Sequence, residues 1–193
     1  MSRSDFETTG ATMRDIDEYV ALVQSAYRGE SSRAGWTTEA QLLTGARLNA
    51  ELAGATIADP GSAVLLLRTR PAGALRACVQ ITDEGAHVAY LGTLAVEPRR
   101  QGTGIGSRLI SIAEGYARRE FGADTVRLTV LRQRSDLIAF YRRRGYAPTG
   151  RTEPFPYGDT RVGTPLRDDL EFVELKKRIC DALTHVDDPA GDA

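Results

Sequence analysis

The segment Leu94-Ala95-Val96-Glu97-Pro98-Arg99-Arg100-Gln101-Gly102-Thr103-Gly104-Ile105-Gly106-Ser107 limits the folds open to this chain more than any other. An apolar run ending at Val96 reads as a strand, and Pro98 stops its pairing. Three alternating glycines then lead into a stretch, about 104–120, where Ile105, Leu109, Ile112, Ala113 and Tyr116 recur at helical spacing. Such a unit gathers the open N–H groups of a first helical turn and the positive end of its dipole at one point. Glycines without Cβ let the backbone close around an anion there. Arg99 and Arg100 flank the spot, so a diphosphate is the expected occupant.

The residues separate the diphosphate ligands. A P-loop needs a lysine before its Ser/Thr. Here Ser107 is followed by Arg108 and no lysine reaches the loop, so that reading fails. A dinucleotide fold wants a third glycine at a position held here by Ser107 or Leu109, depending on the starting glycine. Asp124 lies at a tolerable distance for its acid, but the loop comes mid-chain after a hairpin. NADPH binding would discriminate that oxidoreductase reading. A plain turn would be a costly use of three glycines. Coenzyme A is the third class.

Periodicity supplies the frame. Residues 1–6 are polar and read as loose. Thr12 with Asp15 resembles a capping box before a helix over about 13–28. A polar loop runs from Gly29 to Trp36, and Thr38 with Gln41 predicts a second helix over about 38–57, ended by Asp59-Pro60-Gly61-Ser62. Strand-like runs cover Ala63–Leu67, Ala74–Thr82, His87–Val96 and Thr125–Leu131, the middle two joined as a hairpin by Asp83-Glu84-Gly85. Ser135–Arg144 is a shorter helix stopped by Gly145. Tyr146–Gly150 and Glu171–Lys176 read as final strands around a Pro/Gly-rich loop at 153–168. The order is β-α-α-β-β-β-α-β-α-β-β, an α/β chain of the α+β type with one mixed sheet. One domain over 1–183 and an acidic tail over 184–193 are expected.

Gln101-Gly102-Thr103-Gly104-Ile105-Gly106 resembles the Gln/Arg-x-x-Gly-x-Gly/Ala signature of the GNAT (GCN5-related) N-acetyltransferases. Leu94-Ala95-Val96 is similar to that family's fourth strand, and Ala139-Phe140-Tyr141-Arg142-Arg143-Arg144-Gly145-Tyr146 to its later Phe-Tyr-x-x-x-Gly-Phe/Tyr motif. Order and spacing are kept over about residues 63–150. The resemblance implies a sheet of about seven strands flanked by about four helices, splayed between the fourth and fifth strands. It also implies acetyl-CoA as cofactor and direct transfer to an amine in a ternary complex. Backbone groups of Leu94 and Val96 would bond the pantetheine arm. The N–H groups of Gln101, Gly102, Thr103, Gly104, Ile105, Gly106 and Ser107 would cradle the pyrophosphate. Tyr141 stands where the family places its general acid, and a phenol's pKa of about 10 lies above that of an alkyl thiol. Seven residues earlier the family often has Asn. This chain has Arg134, which could meet a CoA phosphate or stand solvated.

The acceptor side is less legible. Tyr27, Glu30, Trp36 and Glu39 fall in a polar stretch holding the chain's only tryptophan, a composition suited to a small polar ligand. Glu30, Glu39, Asp83 and Glu84 are candidates for the general base, and the Phe155–Asp159 loop could cover the pocket from the far side. A small-molecule amine or an amino-acid-like molecule is the expected acceptor. A protein N-terminus or lysine is the alternative, and so is a non-catalytic acyl-CoA sensor on the same fold.

Twenty-five Lys+Arg against 26 Asp+Glu give a formal charge of −1, which argues against duplex nucleic acid. No apolar run suits a membrane span, and Met1-Ser2-Arg3-Ser4-Asp5 leads into no apolar signal core, so a cytoplasmic location is expected. Cys78 and Cys180 read as core hydrophobes, and isolated His87 and His185 offer no metal spacing. A monomer or homodimer is expected.

Overall fold

The computed structural model describes residues 5–71, 73–159 and 162–179. The expected acidic tail, Cys180 and His185 lie outside them. A short edge strand comes first, β1 (Phe6–Gly10), then α1 (Ile16–Tyr27) and a single helical turn, α2 (Gly29–Ser32). After β2 (Leu43–Thr44) and α3 (Ala50–Ala58) come three long strands, β3 (Ser62–Thr69), β4 (Leu75–Asp83) and β5 (Val88–Val96). The glycine loop opens α4 (Ile105–Phe121), followed by β6 (Thr125–Leu131), α5 (Ser135–Arg142), β7 (Ala147–Pro154), β8 (Thr164–Pro165) and β9 (Glu171–Arg178).

Seven strands form one sheet in the order β1-β3-β4-β5-β6-β9-β7, and β2 with β8 forms a separate two-stranded ribbon. All main-sheet neighbours are antiparallel except β5 and β6. These are the fourth and fifth main-sheet strands in chain order. They pair only at Val88–Thr125, Ala89–Val126 and Tyr90–Arg127, and beyond Tyr90 they part. The mixed sheet and the expected splay are both present.

The continuous apolar run of β3 follows from burial on both faces. Leu65 and Leu67 pack with Val79, Leu109, Ile110 and Ala113 beneath α4, whereas Val64 and Leu66 pack with Tyr19, Val23 and Ala53 beneath α1 and α3. Full burial of one such leucine contributes about 1.5–3 kcal/mol. Cys78 belongs to the α1 side, and burial pushes its thiol pKa up to about 12. It is an inert core residue.

Two sequence expectations change. The helix expected over 38–57 is largely absent: only Ala50–Ala58 is helical, and its N-cap is Asn49, whose Oδ1 accepts from the Leu52 N–H at 2.8 Å. Thr38 opens no helix: its hydroxyl pairs with that of Ser32 at 2.7 Å and accepts from the Ala40 N–H at 3.2 Å within a turn. Gly45 adopts φ +84°, and Leu42 and Leu43 are drawn into a small core with Leu131, Phe155 and Leu170. Tertiary burial overrides a helical pattern there. The first strand, to which the sequence assigned no residues, is Phe6–Gly10. It is an edge strand with only Phe6 buried, so its apolar signal is a single side chain.

Candidate active site

The splay is prepared by β5 itself. Between the pairs Val79–Leu94 and Ile81–Leu91 the register slips, so Gly92 and Thr93 bulge opposite Gln80. The Glu97 N–H bonds Arg76 O across to β4 at 2.9 Å. Alternate residues Leu94 and Val96 therefore turn their amides away from β4, into the gap left by β6. Their carbonyls are held: Leu94 O accepts from the Tyr27 hydroxyl at 2.7 Å and Val96 O from Gln101 Nε2 at 3.1 Å. Their N–H groups face the gap. Burial pushes the Tyr27 phenol up to about 12, so it stays a donor to Leu94.

At the end of β5, Gly102 and Gly104 adopt φ +80° and +87°, a region that L side chains rarely occupy, and Gly104 caps α4. A Cβ on either would meet nothing within 4 Å, so the loop stands open on its concave side. The first α4 amide turned back into the helix is that of Arg108, onto Gly104 O at 3.1 Å. The amides before it are the open donors of a helix start. Gln101, Gly102, Gly104, Gly106 and Ser107 line a cavity of about 310 Å³ together with Leu94 and Val96. Thr103 and Ile105 do not: the Thr103 hydroxyl donates to Arg100 O at 2.7 Å, and Ile105 packs in the core. Gln101 turns its own N–H to Pro98 O at 3.3 Å.

Two arginines missed in the sequence complete this cavity. Arg143 and Arg144 line it from the end of α5. Arg144 lies over the Phe140 ring, 3.4 Å from its centroid, and donates from Nε to Ser107 Oγ at 2.9 Å. Their signal is the run of three arginines, Arg142 to Arg144, after the tyrosine of the Phe-Tyr-x-x-x-Gly motif. An open glycine cradle, a helix N-terminus and two cations suit a diphosphate.

A second cavity, of about 360 Å³, lies against the bulge and includes Gln80, Tyr90, Thr93, Thr129 and Phe172. Tyr27, Leu137 and Tyr141 line both cavities, so the two meet at Tyr141. The Tyr141 ring packs edge-on against Phe140 and Tyr146, and the residue is 5% exposed. Burial holds its phenol well above the ordinary value of 10.

Several expected site residues are placed differently. Arg134, expected on a CoA phosphate or in solvent, is 6% exposed with all its donors spent. Nη1 donates to the carbonyls of Thr37 and Thr38, Nη2 to Trp36 O, and Nε and Nη2 to Asp136. It fastens the 36–38 segment to the start of α5. Gln101 fastens the same segment from the other side, its Oε1 accepting from the Trp36 N–H at 2.8 Å and the Thr37 N–H at 3.2 Å. Trp36, expected toward the acceptor, instead lines the glycine-loop cavity and packs on Phe140 at 5.2 Å.

Among the candidate bases, Glu39 alone lines either of the two cavities that meet at Tyr141, and it is ion-paired with Arg28. Glu30 is exposed and pairs with Arg33. Asp83 accepts from the Gly85 N–H within its turn, and Glu84 pairs with Arg127 on the outer surface. The far side of the second cavity is closed by Glu153, Val162 and Phe172 rather than by Phe155–Asp159.

Residues 19–146 match the model of the acetyltransferase (GNAT) family. The chain belongs to that family. This makes it an acyltransferase of the N-acetyltransferase kind, in a family that generally uses acetyl-CoA. Among solved structures, the acetyltransferase is similar to nourseothricin acetyltransferase, at 24% identity over 63% of this chain and 68% of the other, with a TM-score of 0.53. It is similar to the ribosomal-protein-S18-alanine N-acetyltransferase from Escherichia coli, at 16% identity over 94% and 98%, with a TM-score of 0.62. Spermidine/spermine N-acetyltransferase SpeG from Vibrio cholerae matches at 15% identity over 91% and 94%, with a TM-score of 0.61. At these identities the likeness shows the fold. No curated protein sequence matches significantly. Among the described residues, no helix is long and apolar enough to cross a membrane.

Proposed function

We propose that this acetyltransferase moves an acetyl group from acetyl-CoA to the primary amine of a small molecule, by direct attack within a ternary complex. The observation that carries this reading is the meeting of two cavities at Tyr141 through the gap between β5 and β6. One has the chemistry of a diphosphate site. The other, at about 360 Å³, is of the size small ligands fill.

Acetyl-CoA supplies the activated acyl thioester. The amides of Gly102, Gly104, Gly106 and Ser107, with Arg143 and Arg144, hold the diphosphate, and the N–H groups of Leu94 and Val96 hold the pantetheine arm. One of these strand amides polarises the thioester carbonyl. In the net change an N–C bond forms and a C–S bond breaks. The acceptor ammonium gives up two protons, and the sulfur and the solvent each gain one.

Tyr141 hands the proton to sulfur. Its raised pKa keeps the phenol protonated throughout the neutral range. A phenol is a weaker acid than an alkyl thiol, so transfer to a free thiolate is uphill. Tyr141 therefore donates as a proton leaving the acceptor amine replaces its own. Glu39, paired with Arg28, orients the acceptor side rather than serving as a free base.

The test is thermal unfolding with acetyl-CoA, CoA, NADPH and ATP in parallel, followed by thiol release against a panel of amines. A ligand at 100 times its dissociation constant adds about 2.7 kcal/mol, a shift of several degrees. A shift with acetyl-CoA and CoA, and thiol release with small amines, is expected. A shift with NADPH alone would end the reading, and acetyl-CoA binding without any thiol release would make the chain a sensor.

A further inference from the structure

The second cavity holds a cation with work left to do. Arg47 lines it, placed by its backbone N–H on Gln24 Oε1 at 3.0 Å and by the left-handed turn at Gly45 two residues before. Among the described residues its guanidinium makes no hydrogen bond. It lies over the Tyr27 ring, 5.4 Å from the centroid, and its Nε stands 4.0 Å from Glu39 Oε2. That oxygen is already the acceptor of Arg28 Nη1, at much closer range. One carboxylate thus faces two guanidiniums, and the cluster Arg28–Glu39–Arg47 keeps a net positive charge on this wall.

Elsewhere the cavity carries both signs. Arg134 is neutralised by Asp136. Glu153 also lines the cavity, is 58% exposed and shares Arg127 with Glu84 and Glu174, so the positive charge is local to the Arg47 cluster. The remaining polar lining is neutral: Gln80, Thr93, and the Tyr90 and Thr129 hydroxyls, which pair at 2.9 Å. Leu131, Leu137, Val162 and Phe172 supply apolar surface.

We infer that the acceptor carries a carboxylate beside its amine, the amino-acid class, and that Arg47 is the residue that selects it. This rests on the proposal that the second cavity receives a small-molecule amine. A planar guanidinium with its donors unspent matches a carboxylate two bonds at a time. A polyamine would bring further positive charge to a wall that is already positive. A protein N-terminus would bring a neutral peptide bond where Arg47 waits for an anion.

The experiment measures kcat/KM by thiol release for amino acids, each against its own decarboxylated amine: leucine against 3-methylbutylamine, phenylalanine against phenethylamine, and so through the standard set, with spermidine alongside. The expected preference for the carboxylated partner is on the order of 10- to 100-fold, carried mainly by the acceptor KM. Arg47→Gln should narrow that preference to within about 2-fold with the KM for acetyl-CoA unmoved, and Arg47→Lys should retain its direction. Unchanged unfolding midpoints would show that both variants fold. Better use of the carboxylate-free amines or spermidine, or a preference that survives Arg47→Gln, overturns the assignment and leaves acetyl transfer in place. Bound acetyl-CoA with turnover of neither set overturns the small-molecule reading beneath it.

Discussion

Replacing Arg134 with leucine separates a loop fastener from a phosphate ligand. The guanidinium serves the carbonyls of Trp36, Thr37 and Thr38 at 3.1–3.2 Å, and it is 6% exposed. Leucine fills part of the volume and leaves three carbonyls without donors, at about 1 kcal/mol each. Asp136 also loses its partner, but its side chain is 49% exposed and water takes over most of that cost. The sum is about 3 kcal/mol. For a domain of this size that lowers the ligand-free unfolding midpoint by about 6–12 °C. A residue waiting for a CoA phosphate would lower CoA affinity while leaving ligand-free stability nearly untouched. A midpoint within about 2 °C of the parent would refute the fastening role.

The same variant has a pH signature. Burial acts to raise the Asp136 pKa, but its hydrogen bonds and charge interaction with Arg134 outweigh that and hold it below 3.8. The stability this contributes is present above about pH 4 and is lost as pH falls through the depressed value. In Arg134→Leu the acid-side decline in unfolding midpoint should be shallower.

Tyr141→Phe should lower kcat by about 100-fold or more with acetyl-CoA affinity within about 2-fold, as removal of a proton donor requires; full turnover would strip Tyr141 of that role. Gly104→Asp forces a side chain into φ +87° and sets a carboxylate at the open end of α4, so the CoA-induced rise in unfolding midpoint should vanish. Retained CoA binding would place the diphosphate elsewhere. In Gly35→Ala the new Cβ would stand 2.5 Å from Gln101 Oε1, so the bonds from Gln101 to Trp36 and Thr37 should break and the midpoint fall. An unchanged midpoint would show that the Gln101 bonds contribute nothing to holding the 36–38 segment.

The sequence by itself determined whatever is governed by near neighbours in the chain. The strand, glycine loop and α4 follow from an apolar run, a proline and glycines needed at positive φ, all within residues 88–121. Thr125–Leu131 came out as a strand residue for residue, because its alternation is a local property of the pleat. The tertiary structure decided how polar side chains are used. Arg134 is spent on carbonyls nearly a hundred residues away, and Gln101 on a segment more than sixty away. No spacing in the sequence announces such bonds.

Leu42 and Leu43 looked helical until a distant core including Leu131 and Phe155 claimed them. Glu30, Glu39, Asp83 and Glu84 are alike as sequence, yet only Glu39 reaches the cavities that meet at Tyr141, because chain crossings set which carboxylate faces inward. Arg47 gave no sequence signal at all. Its hydrogen-bond donors stay unspent because the fold brings two arginines to one glutamate and Arg28 takes the carboxylate at close range.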